Sequence, residues 1–156
     1  MKWLEEIFFS ATFGGEALSL AAAQAVMTIV DRDDIPAQLE ETGRILMDGL
    51  NEIIKDNDAS DFLEVVGHPS WSFFLVKDYK NYEGLHLKTY FLQEMFARGI
   101  LTLGLHNMSA AHSAEDIENT LHAYAEVIPL LKTNADNGTI DRALLTDPLQ
   151  PLFSVR

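Results

Sequence analysis

Two short runs decide most of what this chain can become. Phe62-Leu63-Glu64-Val65-Val66-Gly67 and Trp71-Ser72-Phe73-Phe74-Leu75-Val76 are rich in β-branched and aromatic residues, and Gly67-His68-Pro69-Ser70 stands between them. Runs of this length suit strands, and a Gly-Pro-containing spacer suits a tight reversal, so the pair predicts an antiparallel hairpin. A lone hairpin is not stable in water; it needs a further strand and a layer packed on one face. Everything that flanks it reads at a helical period instead.

Upstream, Glu16 to about Val30 is rich in Ala and Leu with no internal Gly or Pro, which predicts a long helix. Asp31-Arg32-Asp33-Asp34 interrupts it, and Ile35-Pro36 opens a second helix with proline in its first turn. Leu39, Leu46, Leu50 and Ile53 mark that helix's apolar stripe, and Asp56-Asn57-Asp58 ends it. Gly43 and Gly49 lie inside it, each weakening a helix by about 1 kcal/mol relative to Ala.

Downstream, 78–84 reads as a loop. Leu87, Phe91, Leu92, Met95 and Phe96 then predict an amphipathic helix stopped by Gly99 at the position just past its cap. Ile100 to Leu103 reads as a third strand, and Leu105 to Ala110 is a candidate fourth. Ser113 to Asp116 forms a Ser-x-x-Asp capping box opening the last helix, with Ile117, Leu121, Tyr124, Ile128 and Leu131 as its core stripe and Pro129 predicted to kink it. The expected fold is α+β: a small three- to four-stranded, mostly antiparallel sheet with helices on one face, preceded by a long N-terminal helix. The expected organisation is a single domain over 1–156, with a connecting segment and helix over 1–34, the α+β body over 35–137 and an irregular tail over 138–156.

Composition removes several classes of function. The chain carries 24 acidic and 11 basic residues, a net charge of −13. Phosphate backbones and anionic lipids both demand clustered Lys and Arg, so neither nucleic acid nor a membrane surface is an expected partner. There is no cysteine, which excludes disulfides, thiolate catalysis and cysteine–zinc sites. Glu5 and Glu6 interrupt the N-terminal apolar run, so no signal peptide is read there and a cytoplasmic location is expected. Hydrophobic residues make up 47% of the 156, too many for a disordered chain.

Few residues offer chemistry. The histidines, at 68, 86, 106, 112 and 122, match no metal-ligand spacing, although His106 and His112 can approach each other across a strand and a turn. Lys77, Lys80 and Lys88 lie in or beside a polar loop, whereas a Schiff-base amine needs burial. One candidate remains. In Thr12-Phe13-Gly14-Gly15-Glu16 a hydroxyl and free amides precede a helix, the arrangement that holds a phosphate. A plain helix cap explains the same residues, and Glu16 competes with an anion for the helix dipole.

Two stretches carry a resemblance. Ser10-Ala11-Thr12-Phe13-Gly14-Gly15-Glu16 with the Leu/Ala-rich helix after it resembles the phosphate-contacting turn and helix of class III pyridoxal-phosphate aminotransferases, nearest the glutamate-1-semialdehyde aminomutase-like members. From Phe96-Ala97-Arg98-Gly99 through Ser109-Ala110-Ala111-His112-Ser113-Ala114-Glu115-Asp116-Ile117 the chain is similar to that family's closing helix–turn–strand–helix pattern.

The resemblance spans about Phe8 to Leu131. It implies the C-terminal small domain of such an enzyme plus the connection into it, with Met1 matching an internal methionine. The large domain that carries the Schiff-base lysine would be missing. Thr12 would be the phosphate-contacting threonine, reaching the cofactor of a neighbouring subunit; the residue before it, often Gly, is Ala11 here. The longer parent would transfer or shift an amino group on a small amino acid or semialdehyde with pyridoxal phosphate. This chain alone would bind no cofactor and have no activity. The competing expectation is a non-catalytic interaction or regulatory domain built on the same fold. A homo-oligomer is expected, because a fragment would expose Trp3, Leu4, Ile7, Phe8, Phe9 and Phe13, which would pack against a second copy or fold back on the chain's own sheet.

Overall fold

A computed structural model describes residues 14–151. The chain divides into two compact units, Met1–Pro36 and Ala37–Arg156. The first holds α1 (Ala17–Arg32), which buries none of its own residues. Helix α2 (Ile35–Asp56) leads into the second unit, followed by β1 (Leu63–His68), β2 (Trp71–Val76), α3 (Gly84–Ala97), β3 (Leu105–Asn107), α4 (Ala114–Asn137) and α5 (Ile140–Ala143). The described part of the molecule is α+β, with one antiparallel sheet in the order β1-β2-β3.

The hairpin forms where the sequence places it. Val65 pairs with Phe74 and His68 with Trp71, and Gly67 takes the turn with φ of 105°. Alternation then sorts the faces. Leu63, Val65, Ser72 and Phe74 point into the core, while Glu64, Trp71, Phe73 and Leu75 point out. The core gathers Leu46, Leu50 and Ile54 of α2, Leu87, Phe91 and Met95 of α3, and Ile117, Tyr124, Ile128 and Leu131 of α4. Ile54 rather than Ile53 completes the α2 stripe, and Phe96 turns outward at 45% exposure.

Two expectations change. Ile100–Leu103 is not a strand. Gly104 at φ 79° and the Thr102 hydroxyl, which accepts from Gly104 N at 2.9 Å, turn the backbone there. Pairing with β2 begins only where Phe74 N donates to Gly104 O at 2.8 Å, and β3 supplies the third strand of the sheet. Helix α4 holds Pro129 within it, runs on to Asn137 and stops at Gly138 in the left-handed conformation. The tail opens with the one-turn α5, whose Ile140 is fully buried. Leu145 N then donates to Gln93 Oε1 at 2.8 Å, and Leu149 N to Thr89 Oγ1 at 2.9 Å, strapping the tail to α3.

Candidate functional site

Thr12 lies outside the described residues, but the helix it precedes does not. Glu16 caps α1 with its own carboxylate, taking Leu18 N at 2.8 Å and Ser19 N at 2.6 Å. The cap is therefore Glu16, not the threonine or a glycine. The hydrogen bonds from Ser19 and Leu18 hold its carboxyl below the usual range. The first-turn amides that would receive a phosphate already hold an anion.

Three of the five described lysines are equally committed. Lys77 pairs with Glu64, while Lys80 and Lys132 both pair with Asp136, whose carboxyl they hold far below its usual range. Lys132 also donates to Tyr79 Oη, and the Asp136 carboxylate pushes its ammonium up, opposite to what an amine nucleophile needs. Lys55 is exposed on α2 and Lys88 half-buried on α3. Arg98 caps α3, where Nη1 donates to Glu94 O at 2.9 Å and Nε to Glu126 Oε2 at 2.8 Å, so the helix end and α4 claim its charge.

The polar centre of the described fold was not anticipated. Ser72 of β2, His106 of β3 and Tyr124 of α4 are all buried. Ser72 Oγ lies 3.1 Å from His106 Nδ1, and Tyr124 Oη lies 2.8 Å from His106 Nε2. Burial pushes the imidazole down to about 4 and the Tyr124 hydroxyl upward, so both are neutral at pH 7. Each hydroxyl donates or accepts as required, so a neutral ring has both nitrogens satisfied, one as donor and one as acceptor. His106 and Tyr124 also border a cavity of about 290 Å³, with Leu46, Met108, Asp116 and Thr120 among its other walls.

Chemically this triplet is a clasp rather than a nucleophilic site. Ser72 Oγ is sealed from solvent and is not on the cavity wall, so no substrate carbonyl reaches it. His112 borders the same cavity, but its Nδ1 accepts from Ser109 N at 3.2 Å, and no group of His, Asp and Glu among the described residues is placed to hold a metal ion. The signal for the clasp was present in the sequence. Period-two alternation puts Ser72 on the same face as Phe74, and Tyr124 sits in the α4 core stripe. Buried hydroxyls must find a partner.

No protein-family model matches the chain. Individual proteins do. The chain is 30% identical over 128 residues to a glutamate-1-semialdehyde 2,1-aminomutase of Methanosarcina acetivorans, covering 77% of the chain and 30% of that enzyme. A glutamate-1-semialdehyde 2,1-aminomutase of Methanococcoides burtonii is 28% identical over 127 residues, with 76% and 30% covered. The chain is similar to one part of a glutamate-1-semialdehyde 2,1-aminomutase. It spans less than a third of the length of these relatives.

Solved structures agree on the fold. An omega-transaminase from Sphaerobacter thermophilus superposes with a TM-score of 0.64 at 14% identity, over 81% of this chain and 31% of that one. The FumI protein of Sphingopyxis sp. MTA144, in its PLP internal aldimine form, gives 0.66 at 22% identity, over 83% and 31%.

Proposed function

We propose that this chain is the C-terminal small domain, with its connecting segment, of a class III pyridoxal-phosphate aminotransferase of the glutamate-1-semialdehyde aminomutase kind. The observation that carries the reading is the 30% identity over 128 residues to such an enzyme. In the longer protein the cofactor would supply an electron sink for moving an amino group on a small amino acid or semialdehyde.

The described residues do not by themselves fit that group. Lys77, Lys80 and Lys132 are tied to carboxylates, and the amides of the α1 N-terminus are taken by Glu16. The reading therefore assigns the cofactor's covalent attachment to a domain outside this sequence and leaves this chain a supporting role: Thr12 touching the phosphate, and the sheet with its helices forming one wall of the enzyme. Alone, the chain is inactive. A cytoplasmic location belongs to the same proposal.

The DNA directly upstream of the Met1 codon tests it. A reading frame continuous with this one and encoding a lysine-bearing cofactor domain is expected. Upstream DNA without one, on a chain that is nevertheless expressed, would favour a non-catalytic interaction or regulatory domain instead. Mixing the purified chain with pyridoxal phosphate is expected to give no lysine-linked absorbance. A stable band abolished by one Lys substitution would overturn the claim that the chain alone is inactive.

A further inference from the structure

The end of α4 holds a chemically labile pair. Of the seven asparagines in the sequence, only Asn137 is followed by glycine, as Asn137-Gly138-Thr139. Asparagine is thermolabile because the next backbone nitrogen can attack its side-chain amide, and glycine hinders that nitrogen least. Asn137 is exposed as the last residue of α4, and among the described residues its side-chain amide has no hydrogen-bond partner. The Gly138 N–H is held loosely: it is shared between Asn134 O and Ala135 O, the latter at 3.3 Å, beyond the usual range. A Cβ at Gly138 would meet nothing within 4 Å, so no neighbour packs where a ring would form. Other candidates are shut off. Asn57 donates its amide to Ile53 O at 2.8 Å, and Asn134 donates to Tyr90 Oη and Leu130 O. Asp48-Gly49 has the atoms for the same ring but lies inside α2, where Leu121 Cδ2 stands 2.7 Å from where a Gly49 Cβ would be. What restrains Asn137 is the turn after it. Thr139 N donates to Asn134 O at 2.9 Å and Thr139 Oγ1 to Asn134 Oδ1 at 2.7 Å, closing the turn that Gly138 makes at φ 68°.

We propose that Asn137 is a site of spontaneous deamidation whose rate is set by the clasp between Asn134 and Thr139. When the last turn of α4 opens, the Gly138 nitrogen gives up its proton to hydroxide and attacks Asn137 Cγ. A Cγ–N bond forms to Gly138, the Cγ–Nδ2 bond breaks, and Nδ2 leaves as ammonia, which closes a five-membered succinimide. Water then opens the ring at one carbonyl or the other, giving aspartate or isoaspartate. Nothing is oxidised or reduced. Either product puts a carboxylate at the negative end of α4, beside Asp136, which already draws on Lys80 and Lys132. Isoaspartate also routes the backbone through the side chain, adding a methylene to the turn that leads to buried Ile140. The modification is a one-way loosening of α5 and of the tail beyond it. The chemistry needs only water and this chain, so the inference does not depend on the aminotransferase reading.

Incubation of the purified full chain at about 37 °C, at about pH 6.5 and about pH 8.5, followed by mass spectrometry and peptide mapping, tests it. A gain of one dalton is expected, faster at the higher pH, confined to the peptide that holds Asn137 and divided between aspartate and isoaspartate. Asn137→Gln, whose longer side chain closes a ring far more slowly, is expected to cut the rate at least tenfold. Thr139→Val removes the hydroxyl of the clasp and keeps its shape. It is expected to raise the rate about three- to tenfold, as the open population grows by the hydrogen bonds lost. Circular dichroism confirms that both variants fold. In the modified chain, hydrogen exchange is expected to speed up at the Leu144 amide, which donates to Ile140 O within α5. A chain that keeps its mass through several weeks at the higher pH overturns the proposal. So does a gain that maps to a different asparagine, and a rate that Thr139→Val leaves unchanged overturns the role of the clasp.

Discussion

His106 is the residue whose ionisation the fold tolerates least. Its two nitrogens face hydroxyls from two other elements, Ser72 on β2 and Tyr124 on α4. A charged imidazolium would donate to both and force each hydroxyl proton to find a further acceptor inside the core. The other ionisable groups on the cavity wall, His112 and Asp116, are exposed and hydrogen-bonded elsewhere. The folded pKa of His106 is depressed to about 4, below its ordinary 6.5. Its contribution to stability is therefore complete above about pH 6.5 and is lost as pH falls towards 4, on the order of 3 kcal/mol in all. Chemical denaturation at pH 7.5 and 4.5 is expected to show that loss, and His106→Gln is expected to flatten it. Tyr124→Phe, which leaves one imidazole nitrogen unpartnered, is expected to cost about 1–3 kcal/mol at neutral pH. Sequence reading placed Tyr124 in the core but could not pair it with His106, because nothing local links partners that lie on different elements. Only the sheet register brings Ser72 opposite His106.

At the scale of elements, the glycines of α2 show how packing overrides propensity. Read as sequence, Gly43 and Gly49 are equivalent weak points. In the structure Gly43 is buried, and a Cβ there would sit 1.8 Å from Pro69 O, in the backbone of the hairpin turn. At Gly49 the nearest atom is the end of a side chain, Leu121 Cδ2 at 2.7 Å. Backbone cannot yield as a leucine tip can. Gly43→Ala is therefore expected to destabilise by about 2–3 kcal/mol despite its better helix propensity, and Gly49→Ala to fall within about 1 kcal/mol of the parent. Thermal melts of the two variants side by side decide it; equal effects would mean that propensity alone governs this helix. The helices, the hairpin and the capping box of Ser113 with Asp116 were legible because each is written in residues close in sequence. The third strand was legible as the candidate strand at Leu105 to Ala110, whereas the run read as a strand at Ile100 to Leu103 does not pair. Alternation continues smoothly from 101 to 109, and only the turn at Gly104 decides where pairing starts.

At the scale of the molecule, the tail matters more than its composition suggests. It has no periodicity, so sequence reading leaves it irregular, yet α3 is built to receive it. Thr89 is 5% exposed; its hydroxyl donates to Leu85 O at 2.6 Å and accepts from Leu149 N. Gln93 spans the strap, donating to Ala143 O at 3.0 Å and accepting from Leu145 N. These two side chains supply partners for tail amides that have none within α5. Removing the residues after Ala143 would strip the partly buried Leu144 from the core and leave the Gln93 Oε1 acceptor and one Thr89 lone pair without their amide partners. Truncation after Ala143 is expected to cost roughly 1–3 kcal/mol, a fall of a few degrees in melting temperature for a chain of this size. Single substitutions separate a strap from a loosely draped tail. Thr89→Val is expected to speed hydrogen exchange at the Leu149 amide while sparing Leu145, and Gln93→Ala to do the reverse. Exchange that is fast at both amides in the parent chain would show that the tail does not hold α3, and that the unit from Ala37 onward closes without it.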